Sequence, residues 1–157
     1  MSSPEYVSMQ QLFTFSAARS KGIDDYEPGP TPFVTSTMLN NGVVGYVTPR
    51  VGDKVFDGPA LSISGLGGAT VQLTRFLPKG NGGDSLTICK PIRPMTRFQL
   101  IAAAAAFNSL HAWRFSFGRK CSVGRVAPLL LPAALPDAES IWNDEAISIS
   151  SLVQDLR

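Results

Sequence analysis

The sequence predicts an α+β fold: one compact domain in which a twisted mixed or antiparallel β-sheet surrounds a single buried central helix, with long loops between elements. Three observations predict it. The 157 residues are 44% hydrophobic and only 17% charged, which supplies apolar surface for one core and excludes disorder or a coiled coil. Many short runs have the β-branched, aromatic or alternating character of strands, whereas one run alone combines helical length with a helix start signal. Fourteen glycines and 12 prolines interrupt these runs and promise many turns.

The first run, Tyr6 to Phe15, reads as a short turn or helix feeding a strand, with Leu12, Phe13 and Phe15 in the core. Ala17 to Pro32 mixes charge with Pro and Gly and reads as a surface loop, carrying Arg19 and Lys21 at its start. Phe33 to Val47 joins two strand-like runs through Asn40-Asn41-Gly42, residues that tolerate positive φ. That turn is crowded with Thr35, Ser36, Thr37, Asn40 and Asn41, neutral donors and acceptors of the kind that base edges or a polar ligand require.

Val51 to Gly58 makes another turn, and Ala60 to Ser64 resumes a strand that stops at Gly65-Leu-Gly-Gly68. A phosphate-binding loop needs a helix directly after its glycines, but Ala69 to Phe76 alternates at period two. The glycines therefore mark a hairpin or bulge where another backbone comes close. Leu77 to Asp84 is a glycine-rich loop, and Ser85 to Lys90 a strand ending at Pro91.

The helix follows. Thr96 and Gln99 have capping-box spacing, Met95 can staple against Leu100, and the run should reach about Ala112. Apolar residues cover nearly every face, so the helix is expected to be buried, with His111 as a C-terminal cap or core contact. Trp113 to Phe117 alternates aromatic and polar residues and reads as a strand, Gly118 to Arg125 as a basic turn, and Val126 to Leu131 as a last strand closed by Pro132. Residues 1–136 form the domain in this reading, and 137–157 an acidic tail with a short helix around Asp144 to Leu156.

Net charge is only +2, but its distribution is uneven. Residues 1–84 carry six basic and seven acidic side chains, and 137–157 carry five acids and Arg157. Between them, Lys90, Arg93, Arg97, Arg114, Arg119, Lys120 and Arg125 occur with no acid at all. A segment of this kind suits an anionic partner unless acids from elsewhere fold back onto it. Cys89 and Cys121 lack metal-ligand spacing and are expected to be reduced and buried, which with no secretory or spanning segment fits the cytoplasm.

Catalytic classes fail on what their chemistry requires. A metal-dependent nuclease needs clustered carboxylates with a lysine two positions after one, a base methyltransferase needs a cofactor loop and an Asn/Asp-Pro-Pro-aromatic tetrad, and a hydrolase needs a base that His111 alone would have to supply. None is present, so the chain is read as a non-enzyme with no catalytic residue, metal or cofactor.

Four motifs in order, Phe33-Val-Thr-Ser-Thr with Asn40-Asn41-Gly42-Val43 and Gly45-Tyr46-Val47, Leu61-Ser-Ile-Ser-Gly-Leu-Gly-Gly68, Phe115-Ser-Phe-Gly-Arg-Lys120 and Leu130-Leu-Pro132, resemble the target recognition domain of restriction–modification specificity subunits. The forms in type I and bifunctional type II systems are the nearer ones, and the likeness runs from about Leu12 to Pro132. It implies a compact α+β module that reads part of a double-stranded DNA target in the major groove and directs a methyltransferase or restriction subunit. Type I subunits usually carry two such domains joined by long helices, so a bipartite site would here need two copies, as in a homodimer, or a second protein. On this reading Arg119, Lys120, Arg114 and Arg125 hold phosphates or guanine edges, Thr35, Ser36, Thr37, Asn40 and Asn41 contact bases, and Arg19 and Lys21 reach a phosphate. The competing reading is a protein-interaction subunit of a defence complex that keeps the fold without reading DNA.

Overall fold

A computed structural model describes residues 5–81, 85–137 and 154. The chain opens with β1 (Tyr6–Ser8), a one-turn helix α1 (Met9–Leu12) and β2 (Phe13–Ala17), the predicted helix-to-strand entry. The Ser8 backbone N–H donates to the Gln11 side chain at 2.9 Å, which starts the turn. Phe13 is buried as expected, and so is Met9.

β3 (Pro28–Val34), β4 (Val43–Val47) and β7 (Leu77–Pro78) form one sheet in the order β4-β3-β7, with β3 parallel to β7 and antiparallel to β4. β2, β8 (Thr87–Pro91), β5 (Ala60–Ile63) and β6 (Ala69–Gln72) form a second, antiparallel throughout, in the order β2-β8-β5-β6. β1 closes against β9 (Leu130–Pro132) as a third, two-stranded sheet. The α+β class and the mixed pairing are as predicted, distributed over three sheets.

α2 (Arg97–Leu110) packs against β5 and β6 of the four-stranded sheet. Its start is the predicted capping box, with Gln99 N–H donating to Thr96 Oγ1 at 3.2 Å and Thr96 N–H to Gln99 Oε1 at 3.0 Å. Leu100, Ala103, Ala104 and Phe107 pack in one cluster with Leu61, Ile63 and Cys89. Ala60 and Ile88, pointing the other way from the same strands, join Val34, Phe56, Phe76 and Leu86 in a second cluster. The four-stranded sheet is thus apolar on both faces, which is why all four residues of β5 are buried.

Several predicted elements differ. α2 is buried along one stripe only, at i, i+3, i+4 and i+7, while Ile101 is 49% exposed; alanine is small enough to sit on either face, so composition did not reveal which side turns outward. Pro28 to Pro32, expected in a loop, belongs to β3. Pro28, Pro30 and Pro32 alternate, so their missing N–H groups share one edge, and β7 pairs only beyond them at Phe33 and Val34. β6 stops at Gln72 rather than Phe76, and β7 occupies the start of the expected glycine-rich loop.

Trp113 to Phe117 is not a strand. Ala112–Arg114 is a 3₁₀ turn continuing from α2, and of the three aromatics only Phe115 is buried. Val126 ends a one-turn helix, α3 (Val123–Val126), rather than starting a strand. The acidic tail and its expected helix lie outside the described residues apart from Asp137 and Gln154. Among the described residues no helix is long and apolar enough to cross a membrane, and no three metal-binding side chains cluster.

Candidate nucleic-acid interface

The β3–β4 connection reverses the chain through three consecutive left-handed residues, Asn40 (φ 49°), Asn41 (φ 54°) and Gly42 (φ 79°). Asparagine tolerates this conformation because its short amide can bond locally, as Asn40 does, while the Asn41 amide reaches a neighbouring strand. Asn40 Nδ2 donates to Val43 O at 3.1 Å and Asn41 Nδ2 to Val71 O at 2.7 Å. Gln72 Nε2 returns a bond to Asn41 O at 2.9 Å, so the loop is stitched to β6 from both sides. Thr37 Oγ1 accepts the Leu39 N–H at 3.2 Å, and Thr35 Oγ1 the Thr37 N–H at 3.5 Å. Ser36 is half-buried in the same loop. At its crest Met38 and Leu39 are 51% and 79% exposed, apolar residues that polarity-based reading passed over.

The basic segment starts where α2 ends. His111 caps the helix and is buried, as predicted; its Nδ1 accepts from Arg114 Nε at 3.1 Å and its Nε2 lies 2.6 Å from Leu130 O. Phe115 plugs the core by stacking on Phe107, ring centroids 6.4 Å apart and 9° from parallel. From that plug Ser116, Phe117, Gly118 and Arg119 turn outward, exposed. Arg125 Nη1 donates to Lys120 O at 2.6 Å and ties the outer turn to α3. Arg114, Arg119, Lys120 and Arg125 make no ion pair among the described residues, so no described carboxylate folds back onto them.

The two regions meet at the glycine turn between β5 and β6. Gly67 has φ +100°, and a Cβ there would lie 2.5 Å from Ala112 O and 3.1 Å from the Phe115 ring. A Cβ on Gly68 would collide with the Met38 sulfur. Cys121 N–H donates to Gly65 O at 2.7 Å. Four residues thus seat the asparagine loop on one side and the basic turn on the other, and their predicted role as a site of close backbone approach holds. An open groove of about 390 Å³ runs between the asparagine loop, β6 and α2, lined among others by Met38, Asn41, Val71, Ile101 and Asn108. Asn108 bonds both backbone groups of Ala69, at 2.8 and 3.0 Å, at the end of β6, which among the described residues pairs with β5 on one side only. A polar residue inside an alanine run was the available signal for it.

Arg19 and Lys21 lie at the end of β2 beside the β7 connection and are not joined to this region by any contact among the described residues. They flank Ser20, which bridges to Lys79 and donates to Pro78 O at 2.5 Å, and Lys79 N–H donates to Val34 O one residue before Thr35. Both are exposed, although the Lys21 backbone is drawn toward Tyr26, whose hydroxyl it contacts at 3.0 Å. Burial raises the Tyr26 hydroxyl above its ordinary pKa, so it stays a neutral donor.

Both cysteines are free and buried, as predicted. Burial pushes the Cys89 thiol far up, and raises Cys121 to about 12 against the opposing pull of Arg125. Neither is a nucleophile at neutral pH.

No family model matches the sequence, and no curated protein does either. Solved structures do match in shape. The S subunit of a type I restriction-modification system from M. genitalium superposes with a TM-score of 0.61 at 12% identity, over 83% of this chain and 34% of that one. A chain from a type I system studied for complex assembly and conformational transition gives 0.62 at 16%, over 97% of this chain and 39% of that one. The HsdS subunit of Thermoanaerobacter tengcongensis gives 0.59 at 14%, over 97% and 37%. The fold is therefore shared with type I specificity subunits, as the sequence resemblance implied, and this chain spans little more than a third of their length.

Proposed function

We propose that this chain is a sequence-reading, double-stranded DNA-binding module of a restriction–modification or related defence system, working with a methyltransferase or restriction subunit rather than as an enzyme. Residues 1–136 would be the reading domain, and 137–157 its acidic tail in sequence. The observation that carries the reading is the junction at Gly65–Gly68, where the amide-rich loop and the segment that bears the basic side chains both pack. Phosphates would be held by Arg114, Arg119, Lys120 and Arg125, with Arg19 and Lys21 as outlying contacts. Base edges would be met by Thr35, Ser36, Thr37, Asn40 and Asn41 through whatever hydrogen-bonding capacity the loop leaves over. A two-part target would require a second recognition domain, consistent with the greater length of the structural neighbours.

The test is a duplex titration over a range of salt concentrations. Replacing Arg119 and Lys120 together by Ala should weaken binding on every sequence and reduce the slope of log K against log salt by about two. An unchanged slope removes these two residues from the interface. The second reading, a protein-docking subunit, is favoured by the exposed Met38 and Leu39. It prevails if duplex DNA and heparin both fail to bind at low salt while a partner protein co-purifies.

A further inference from the structure

On either side of the buried plug Phe115 in the chain stand two aromatic rings that the core does not use. Trp113 is 74% exposed and Phe117 81%, against 7% for Phe115. The Trp113 ring is tethered. Trp113 Nε1 donates to Leu110 O at 2.8 Å, and the Arg114 guanidinium lies 4.8 Å from the ring centroid. Arg114 is itself held by His111, whose Nδ1 accepts, so that Nε2 carries the proton donated to Leu130 O. Lys120 Nζ sits 4.3 Å from the Phe117 centroid. Each exposed ring therefore carries its own cation.

We propose that Trp113 and Phe117 are stacking platforms for nucleobases that have left the helical stack, with Arg114 and Lys120 placed to meet the adjoining phosphates. This rests on the DNA-binding reading above and names the form of DNA that the basic turn prefers. Two flat rings beside fixed cations reproduce what single-stranded nucleic acid demands, π-faces for bases and positive charge for the backbone. A fully paired duplex presents no base faces in its grooves, so rings displayed this way gain most where a base is unpaired. The sequence argues against an apolar protein partner: Ser116, Gly118, Arg119, Lys120 and Ser122 adjoin Phe117 in the chain, and Arg114 adjoins Trp113, with no carboxylate between residues 85 and 136. Preorganisation through His111 and Leu110 reduces the entropy that stacking would otherwise cost.

The chain has two tryptophans, Trp113 and Trp142, so the full chain with Trp142→Phe reports on Trp113 alone. Three probes suffice: a short paired duplex, the same duplex with one bulged nucleotide, and one of its single strands. Trp113 fluorescence should be quenched by the bulged and single-stranded probes more than by the paired one. Trp113→Ala with Phe117→Ala should lose about tenfold in affinity for those two probes, keep its affinity for the paired duplex within about threefold, and leave the salt slope unchanged. Trp113→Phe with Phe117→Tyr should restore most of the loss. Equal affinity of wild type and double-Ala variant for all three probes, with paired-duplex binding intact, overturns the stacking role and spares the DNA-binding reading. Failure of the wild type to bind any probe overturns both.

Discussion

The asparagine loop and the basic turn rest on the same four residues and are built on opposite plans. In the loop, the polar side chains bond inward: the amides of Asn40 and Asn41 and the hydroxyls of Thr35 and Thr37 all hold the loop's own backbone or β6, and the exposed crest is Met38 and Leu39. In the turn, one aromatic ring is buried, Arg114, Arg119 and Arg125 are exposed and Lys120 is half-buried. Those loop side chains bond its frame, whereas in the turn Arg114 and Arg125 hold the frame and the Arg119 and Lys120 head groups carry no hydrogen bond among the described residues. The loop's rigidity is thus a stability matter, whereas the turn's charges are available to a ligand. Substitutions should separate the two accordingly.

The largest effect is expected where the regions share a foundation. Gly67→Ala places a methyl group at a left-handed φ of +100° and 2.5 Å from Ala112 O. Strain plus displacement of the post-helical turn should cost about 3 kcal/mol, read as a lowered midpoint in denaturant unfolding. If the two regions were independent, Gly67→Ala would disturb only the basic turn. On this architecture Asn41 and Met38 also shift, and their backbone amides lose protection from hydrogen exchange.

That shared foundation was partly legible in the sequence. Gly65-Leu-Gly-Gly68 announces close backbone approach because a strand pattern follows it, and Asn40-Asn41-Gly42 announces left-handed residues because few others accept that backbone. Thr96 and Gln99 set the helix start by local chemistry alone. What failed to show depended on long-range partners. Trp113, Phe115 and Phe117 alternate as a strand would, but nothing in the spacing says that only Phe115 of the three stacks on Phe107. Pro28, Pro30 and Pro32 read as a loop until a strand is found that bonds only to their other edge. The amides of Asn40 and Asn41 looked free for a ligand because Val71, some thirty residues away, was not yet beside them.

Next in size is Asn41. Asn41→Ala removes both the bond to Val71 O and a residue that accepts φ 54°, and should cost about 1–2 kcal/mol. Asn41→Gly keeps the conformational freedom and loses only the bond, so it should cost less than half as much. Equal losses would mean that backbone conformation contributes nothing, and the loop would then be held by its hydrogen bonds alone. Paired-duplex binding by the glycine variant, measured where the protein is folded, shows whether the amide also touches DNA.

Alkaline pH probes the foot of the basic turn. Burial raises the Cys121 thiol to about 12 from an ordinary value of 9.0. The stability linked to its neutral form is therefore fully present below pH 9 and is lost as pH rises from there toward 12. Between pH 8 and pH 10 this amounts to about 1 kcal/mol. Cys121→Ala should flatten that part of the pH dependence, whereas the contribution of Cys89 remains. A slope identical in both proteins would show that the thiol is reached by water and that the turn's attachment opens readily.

The smallest expected effect discriminates most sharply between the two plans. Among the described residues Arg119 makes no side-chain bond, and the Lys120 ammonium makes only its contact with the exposed Phe117 ring, worth about 0.5 kcal/mol in water. Removing two like charges from a segment without carboxylates relieves repulsion of similar size. Arg119→Ala with Lys120→Ala should therefore leave the unfolding midpoint within the scatter of the wild type, even as the salt slope of DNA binding falls. Arg125→Ala is the internal contrast, because its guanidinium holds Lys120 O at 2.6 Å and its loss should cost about 1 kcal/mol. If the Arg119 and Lys120 substitutions destabilised the fold as much as Arg125→Ala, the outer turn would be a structural strut like the asparagine loop. Its cations would then no longer be the part of the molecule left over for a ligand.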